Sequence, residues 1–511
     1  MPTLTHLPLG QRIPDVLHAV SVSLPTMCDV IGYEEKDPDT TRHITSGYPR
    51  FVQHPLVRRA AEHLARELDL ADGQHIWPTA SLRAAEELHR WLALEPASAS
   101  AKIISHDHLA GVALPENSEE ANLRAKMFLR HTGTLLSSRE AEDYLVRAGQ
   151  FPAAQPEPLF SGDASACVKG VLAGVFAGAA PADVFLANTG MNAVHAAFRA
   201  VDTLQRARGR TRWLQLGWLY PDTAAILQKF TAQPARDYHF LADPTDTAAL
   251  KACLQKHHAE IAGIITETPG NPLLHTCDLA AVAALCRAHG IILIADPTTV
   301  SPLNIEVFPH ADIAINSLTK YTASEGDVIA GAVILNPQSP HAAAFRAKIP
   351  AHLEPPYPRD LARLAAQIGD YAPVIAQTNR TARAVVEFLQ THPAIDRVYW
   401  TLQSDPAPTR NNYLALARSP DAIGSMIAFT LRDKPLAWFY DRVRLAKGPS
   451  FGMKTTLLSP FIYTAHYALV KTPAGRETLR AAGVPPEILR LSLGCEPAGE
   501  ILAALAEALA S

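Results

Sequence analysis

The sequence predicts an α/β protein: a mainly parallel sheet flanked by helices, preceded by an N-terminal arm and followed by an α+β C-terminal domain. Three observations predict it. From about residue 164 to 337, short apolar runs alternate with amphipathic stretches, the pattern of strands and crossover helices in a sheet covered on both faces. The run Ile291-Ile292-Leu293-Ile294-Ala295 is apolar throughout, as a strand buried on both sides must be, and it stops at a carboxylate, Asp296. Residues 338–511 open on a long helical tract and then carry separate strand-like runs, a mixed pattern rather than an alternating one.

Taken in order, residues 1–54 are the arm. Its first 47 residues are rich in Pro, Thr and His with little helical period, so the arm is expected to be extended. Residues 55–163 are expected to form a helical inserted region. Val57, Ala60, Ala61 and Leu64, then Ala84, Leu88, Trp91 and Leu92, fall at helical spacing, and 117–149 reads as two charged amphipathic helices. Pro152, Pro156 and Pro158 mark a linker. In the large domain, 164–337, strands are expected at 183–187, 213–216, 261–266, before Asp296, at 312–316 and at 328–335. The C-terminal domain, 338–511, is expected to be helical to about His392. Strands follow at 398–400, 426–431 and 489–493, and an alanine-rich helix at 498–509 closes the chain.

Composition bounds what the chain can do. Its 511 residues, at roughly 100–200 per domain, allow two to four domains. A hydrophobic share of 48% and a charged share of 19% belong to a globular protein with a large core. A formal charge of −4, with no basic run interleaved with aromatics, argues against nucleic acid as a partner. The six cysteines are scattered and form no CxxC pair, so free thiols in a reducing compartment are expected, with neither disulfides nor a metal site. No basic segment followed by an apolar one opens the chain, and no uncharged apolar run is long enough to span a bilayer. A soluble, cytoplasmic protein without a membrane partner is the expectation.

The chemistry gathers around one lysine. In Asn316-Ser317-Leu318-Thr319-Lys320-Tyr321, Lys320 follows a strand and has two hydroxyls just before it, while Asp296 ends the preceding strand. Open α/β sheets hold ligands beyond the carboxyl ends of their strands, so both residues should face one crevice. An isolated lysine after a strand is ordinarily a surface residue. An amine, a carboxylate and hydroxyls at neighbouring strand ends are a different matter. Pyridoxal phosphate needs an amine to condense with its aldehyde, an acid for its ring nitrogen and donors for its phosphate.

Further residues sit at equivalent places. Asn188-Thr189-Gly190 follows a strand and opens a helix, where backbone N–H groups bind anions and glycine permits close approach. By itself such a glycine is most often a turn residue. Tyr220 follows the next strand and could stack on a pyridine ring, although half-buried core tyrosines are commoner. Glu267-Thr268-Pro269-Gly270-Asn271-Pro272 ends another strand in a proline-bounded turn. Asn271 is there either a turn former or an amide for the cofactor's phenolic oxygen.

In this order the residues resemble the Cys/Met-metabolism family of pyridoxal-phosphate enzymes. The family's Glu-Thr-Pro-x-Asn-Pro stands as Glu267 to Pro272, and its strand-ending Asp with a nearby Thr as Asp296 and Thr298. Its Ser-x-Thr-Lys-Tyr is Ser317 to Tyr321, and its Gly-Asp-Val-x-x-Gly is Gly326 to Gly331. The Ser-Gly-Met turn becomes Thr189-Gly190-Met191. Tyr48-Pro49-Arg50 is similar to the Tyr-x-Arg with which the family reaches the phosphate of a neighbouring subunit. Arg490 to Glu496 is similar to its C-terminal Arg-x-Ser-x-Gly-x-Glu. Within the family, His18 to Thr26, Gly32 to Glu35, Gly47 to Phe51, Gly448 to Gly452 and the long insertion before Gly190 resemble the fungal-type cystathionine gamma-synthases. Two departures stand out: Pro297 where the family has Asn, and Ala323-Ser324-Glu325 where Gly-Gly-His is common.

The resemblance implies the fold type I transferase architecture and pyridoxal 5′-phosphate as cofactor. It makes Lys320, Asp296 and Tyr220 catalytic: Lys320 as covalent anchor and proton shuttle, Asp296 as partner of the ring nitrogen, Tyr220 as stacking and proton-transfer residue. Gly190, Met191, Ser317 and Thr319 would bind the phosphate with Tyr48 and Arg50, and Asn271 and Thr298 would complete the cofactor's contacts. Arg490 would clamp a substrate carboxylate, with Ser450 near the same end. The implied reaction is γ-replacement, joining an O-acylated homoserine and cysteine to give cystathionine in methionine biosynthesis. A cystathionine or methionine lyase and a homoserine sulfhydrylase share the constellation. A silent regulatory subunit is the alternative outside enzymes, against which the joint presence of Lys320, Asp296 and Arg490 speaks. The implied partners are small amino acids and a second copy of the chain, since Tyr48 and Arg50 would act in trans in a homodimer or a dimer of dimers.

Overall fold

The computed structural model describes residues 4–48, 51–71, 73–95 and 100–510. Its central sheet runs, edge to edge, Val184–Ala187, Gly331–Leu335, Ile313–Asn316, Ile292–Asp296, Ile261–Glu267, Arg212–Leu216 and Tyr238–Leu241. The pairings from Ile313–Asn316 through Tyr238–Leu241 are parallel, and Gly331–Leu335 runs antiparallel to both its neighbours. Successive side chains of a strand point to opposite faces. Accordingly Ile292 and Ile294 join an apolar core with Trp213, Ile265 and Phe198 on one face. Leu293 and Ala295 join another with Leu214, Ile264, Leu254 and Val282 on the other. Both faces are therefore buried by helices, and the chain has the fold class that its sequence predicts. The edge strand Tyr238–Leu241 has no apolar run to announce it, because it is half exposed along its length.

The C-terminal sheet has the order Ile395–Tyr399, Met426–Leu431, Leu489–Ser492, Leu457–Pro460 and Ala446–Lys447. Helices Tyr371–Thr391 and Ala498–Ala510 pack their apolar faces on it, through Val385 and Leu389 and through Ile501 and Leu505. The predicted long helical tract is three helices, Ala342–Lys348, Pro358–Gln367 and Tyr371–Thr391. Pro358 opens the second, where a missing N–H leaves no bond unmade.

Two expectations are corrected. The arm is not extended throughout: Met27–Glu35 and Pro38–Thr41 are helical. Thr26 and Asp29 close the first of these with a reciprocal capping box, a local signal masked by the arm's composition. The region 55–163 is not all helical either. Gln74–Thr79, Leu109–Pro115 and Lys102–His106 form an antiparallel sheet, covered by helices Pro55–Glu67, Leu82–Leu92, Glu119–Thr132 and Ser138–Arg147. Leu109–Pro115 is buried on both faces, so no alternation of polar and apolar residues marked it as a strand. No helix among the described residues is long and apolar enough to cross a membrane.

Candidate active site

The parallel strands deliver their carboxyl ends to one place. Ala187 leads to Gly190 and Met191, Leu216 to Tyr220, Glu267 to Asn271, and Asn316 to Ser317, Thr319 and Lys320. With Asp296 and Thr298 these residues line a cavity of about 280 Å³, which Tyr48 and Arg490 join from the arm and the C-terminal sheet. Arg50 lies outside the described residues. Among the predicted residues that are described, only Ser450 is not in the cavity wall.

The Gly190 end is built for an anion. Thr189 Oγ1 accepts the N–H of Asn192 at 2.9 Å, which leaves the first N–H groups of helix Gly190–Arg206 without partners inside the helix. A Cβ on Gly190 would lie 2.9 Å from Ser317 Oγ, so glycine is what lets the helix start close against that hydroxyl. Thr319 Oγ1, in the same wall, exchanges hydrogen bonds with the backbone of Ala330 at 3.1 and 3.2 Å.

Two carboxylates meet next to it. Glu267 and Asp296 are paired in register at the ends of adjacent parallel strands. The Asp296 carboxyl accepts the N–H of Thr298 at 2.9 Å, and Thr298 Oγ1 accepts the N–H of Ser317 at 2.9 Å. Thr298 thus ties the acid to the Lys320 loop. Glu267 accepts the backbone N–H of Tyr220 at 2.5 Å, fixing the turn that carries the tyrosine into the wall. Burial pushes Asp296 up to about 6, against the restraining hydrogen bonds of Thr298. Burial, then the charge of Asp296, pushes Glu267 well above the ordinary range.

Because both pKa values are raised, the folded chain binds more protons than the unfolded one. Stability must then fall as pH rises from the ordinary carboxylate range through about 6. Glu267→Gln keeps an acceptor for Tyr220 and removes one charge. Thermal denaturation of the cofactor-free protein should show it stabilised above pH 6 by about 1 kcal/mol, with the gain gone near pH ~4. Equal stabilisation at both pH values would rule out like-charge repulsion as its source.

Lys320 donates to Tyr48 Oη, and its ammonium lies 4.5 Å from the ring centroids of both Tyr48 and Phe451. Tyr48 Oη also shares a 2.8 Å hydrogen bond with Ser450 Oγ. Ser450 therefore stands behind the wall, where its carbonyl accepts from Arg490 Nη2 at 2.9 Å. Arg490 is 3% exposed, lies 5.3 Å from the Phe451 ring, and is pushed down to about 10 by burial, so it is cationic at neutral pH. Tyr48 thus contacts Lys320 and Ser450 of its own chain. The arm folds back through the pairing of Arg12–Ile13 with Ser21–Val22, and the N–H of Leu24 holds it to the C-terminal sheet at Lys447.

Residues 171–510 match the family described as Cys/Met metabolism PLP-dependent enzyme. The chain belongs to that family. It is 40% identical over 484 residues to an L-2-amino-4-chloropent-4-enoate dechlorinase/desaturase of Streptantibioticus cattleyicolor, covering 95% of this chain and 94% of the relative. It is 26% identical over 624 residues to a cystathionine gamma-synthase of Neurospora crassa, covering 98% of each. Among solved structures, a cystathionine gamma-lyase of Lactobacillus plantarum in complex with L-serine covers 69% of this chain and 87% of its own, with a TM-score of 0.57 and 25% identity.

Enzymes of this family carry pyridoxal phosphate, and two observations show that the cavity fits it. The glycine-dependent cradle of Gly190 against Ser317 suits a phosphate. Asn271 Oδ1 and Arg490 Nε, both in residues of the cavity wall, are buried and without a hydrogen-bond partner among the described residues. In the cavity wall, both atoms are available to a bound group. The departure at Ala323-Ser324-Glu325 does not reach the wall, because Glu325 pairs instead with Lys454 at 2.5 Å.

Four charged residues of the wall were not assigned to the site from the sequence: Glu34 and Lys36 of the arm, and Lys126 and Arg130 of helix Glu119–Thr132. The spacing of Lys126 and Arg130, four apart on a charged helix, was visible; that this face meets the sheet end was not.

Proposed function

We propose that this enzyme breaks the bond between the γ-carbon of an L-α-amino acid and a leaving group. One observation carries the reading: the Lys320 ammonium and the Arg490 guanidinium approach the same Phe451 ring, at 4.5 and 5.3 Å. An amine and a carboxylate clamp are thereby held within the span of one small amino acid. Bound pyridoxal phosphate supplies the electron sink that acidifies the substrate's carbon–hydrogen bonds. Gly190, Met191, Ser317 and Thr319 would hold its phosphate, Asp296 its ring nitrogen, and Tyr220 its ring face. Arg490 binds the α-carboxylate and so orients the Cα–H bond toward Lys320 Nζ. That nitrogen takes the α-proton and moves protons at the β-carbon. The electron pair of the Cγ bond leaves with the leaving group.

Elimination that leaves an unsaturated amino acid is the first reading, favoured by the 40% identity to a dechlorinase/desaturase over nearly the whole chain. γ-Replacement by cysteine to give cystathionine is the second, favoured by the end-to-end likeness to the Neurospora synthase. Incubation of the loaded enzyme with L-2-amino-4-chloropent-4-enoate should release chloride. The competing assay pairs O-acetyl- or O-succinyl-L-homoserine with L-cysteine, with products identified by mass spectrometry. Cystathionine as the main product would establish the second reading, and 2-oxobutanoate with ammonia would indicate a lyase. No product from any of these substrates would overturn γ-carbon chemistry. A homodimer or a dimer of dimers is the expected assembly, to be read by sedimentation.

A further inference from the structure

We propose that helix Glu119–Thr132 of the inserted region supplies an anion subsite to the catalytic cavity. It is centred on Lys126, and it receives the γ-leaving group of the substrate as that group departs with negative charge. The proposal rests on the γ-carbon reading above.

Lys126 and Arg130, one helical turn apart, line the same cavity as Lys320 and Arg490, together with Lys36. Two of these three cations are already engaged. Arg130 reaches Asp222 Oδ1 through Nε at 2.8 Å and Nη2 at 2.7 Å, and its guanidinium lies 4.6 Å from the Phe51 ring. Lys36 donates to the Tyr33 carbonyl at 3.0 Å and lies 4.5 Å from its ring. Lys126 makes no hydrogen bond or ion pair with any described residue. Lys126 is exposed at the cavity mouth, and partial desolvation, then the repelling charges of Lys36 and Arg130, push its pKa down. Glu34, a carboxyl of the same wall, is pushed up to about 7 by burial despite Lys36 and Arg130, so its negative charge is incomplete at neutral pH. An ammonium held beside two like charges gains most from an incoming anion, which offsets the repulsion.

The subsite is fixed in place by sequence. Gly133 ends the helix at φ +70, and its carbonyl accepts from Thr189 Oγ1 at 3.1 Å and Asn188 Nδ2 at 3.0 Å. A Cβ at Gly133 would lie 2.2 Å from Thr189 Oγ1. The carboxyl end of the inserted helix is thus docked on the amino end of helix Gly190–Arg206, and its last turns must face the cavity.

The step balances without a redox partner. The Cγ–X bond breaks with both electrons on X, a proton from substrate carbon passes to Lys320, and HX is lost overall. X is any group that leaves as an anion: halide, carboxylate or phosphate. The cofactor's phosphate is the other anion the site must hold, but the Gly190 helix start and Ser317 already provide for it.

Lys126→Met retains length and helix propensity, and Lys126→Arg retains charge. Three readouts on protein loaded with pyridoxal phosphate separate the possibilities. They are cofactor affinity by absorbance titration, deuterium exchange at Cα of L-norvaline by NMR, and kcat/KM on whichever γ-substituted substrate turns over. K126M should match the wild type in cofactor affinity and in exchange on L-norvaline, which has no leaving group. It should lose roughly 10- to 100-fold in kcat/KM on the γ-substituted substrate, with K126R restoring most of it. An unchanged kcat/KM overturns the subsite. A loss of cofactor affinity assigns Lys126 to the cofactor phosphate and also overturns it. If the wild type itself exchanges no α-proton, the γ-carbon reading fails and takes the subsite with it.

Discussion

Lys320→Ala is expected to lower turnover of any γ-substituted amino acid by at least about 10³-fold, since it would remove both the proposed general base and the proposed covalent anchor. The loss should not be one of folding. Lys320 is half-buried at the cavity edge, and the Tyr48 hydroxyl and the rings of Tyr48 and Phe451 that it approaches keep their own places in the wall after truncation. Thermal stability should therefore stay near that of the wild type. Borohydride treatment supplies a readout independent of turnover. It should fix pyridoxal phosphate permanently to the wild-type chain, with a peptide map placing the mass on Lys320, and fix none to the variant. A primary amine added to the medium should restore part of the proton transfer. Fixation of the cofactor in the variant would show that another lysine of the wall, Lys36 or Lys126, carries it.

What the sequence disclosed and what it hid divide along a physical line. Lys320, Asp296, Asn271 and Tyr220 follow strands whose apolar runs are plain, and a parallel sheet brings the ends of such strands together whatever the rest of the chain does. Their convergence was therefore legible from order alone. Lys126 and Arg130 reach the same cavity only because Gly133 docks one helix on another, a contact between segments with no periodic pattern linking them. The three-stranded sheet of the inserted region was missed for a similar reason. Leu109–Pro115 is buried on both sides, and its partner Lys102–His106 is mostly exposed, so neither shows the alternation of a half-buried strand. Glu267 was visible as part of a motif. Its role beside Asp296 comes from the register Asp296↔Glu267, which is a fact of pairing rather than of sequence.

Arg139→Met should be the most destabilising single change outside the site, costing about 3–5 kcal/mol in denaturant unfolding. Arg139 is 1% exposed and reaches Glu157 at 2.7 Å, Asp360 at 3.0 Å and Asp327 at 3.4 Å, while its Nη1 donates to the Asp327 carbonyl at 2.8 Å. Burial alone would lower its pKa, but Asp360, Glu157 and Asp327 outweigh burial and raise it. Their charges need it as much as it needs them. Two of the three keep other cations in the variant: Asp327 retains Arg363 at 2.7 Å, and Glu157 retains Arg359 at 2.7 Å. Asp360 retains only the Ser137 hydroxyl among the bonds described, so the penalty should concentrate there. Adding Asp360→Asn to Arg139→Met should recover a substantial part of the loss, and a double-mutant cycle would measure that coupling. A cost below about 1 kcal/mol, or no recovery, would show that the cluster does not hold the structure together. The consequence reaches the site, because Asp327 belongs to the Gly326–Gly331 segment that runs from the Lys320 loop into its neighbouring strand. The same arginine anchors the inserted helix Ser138–Arg147. The variant should therefore bind pyridoxal phosphate less tightly even where it remains folded, since one buried charge fixes the inserted region and the lysine loop to each other.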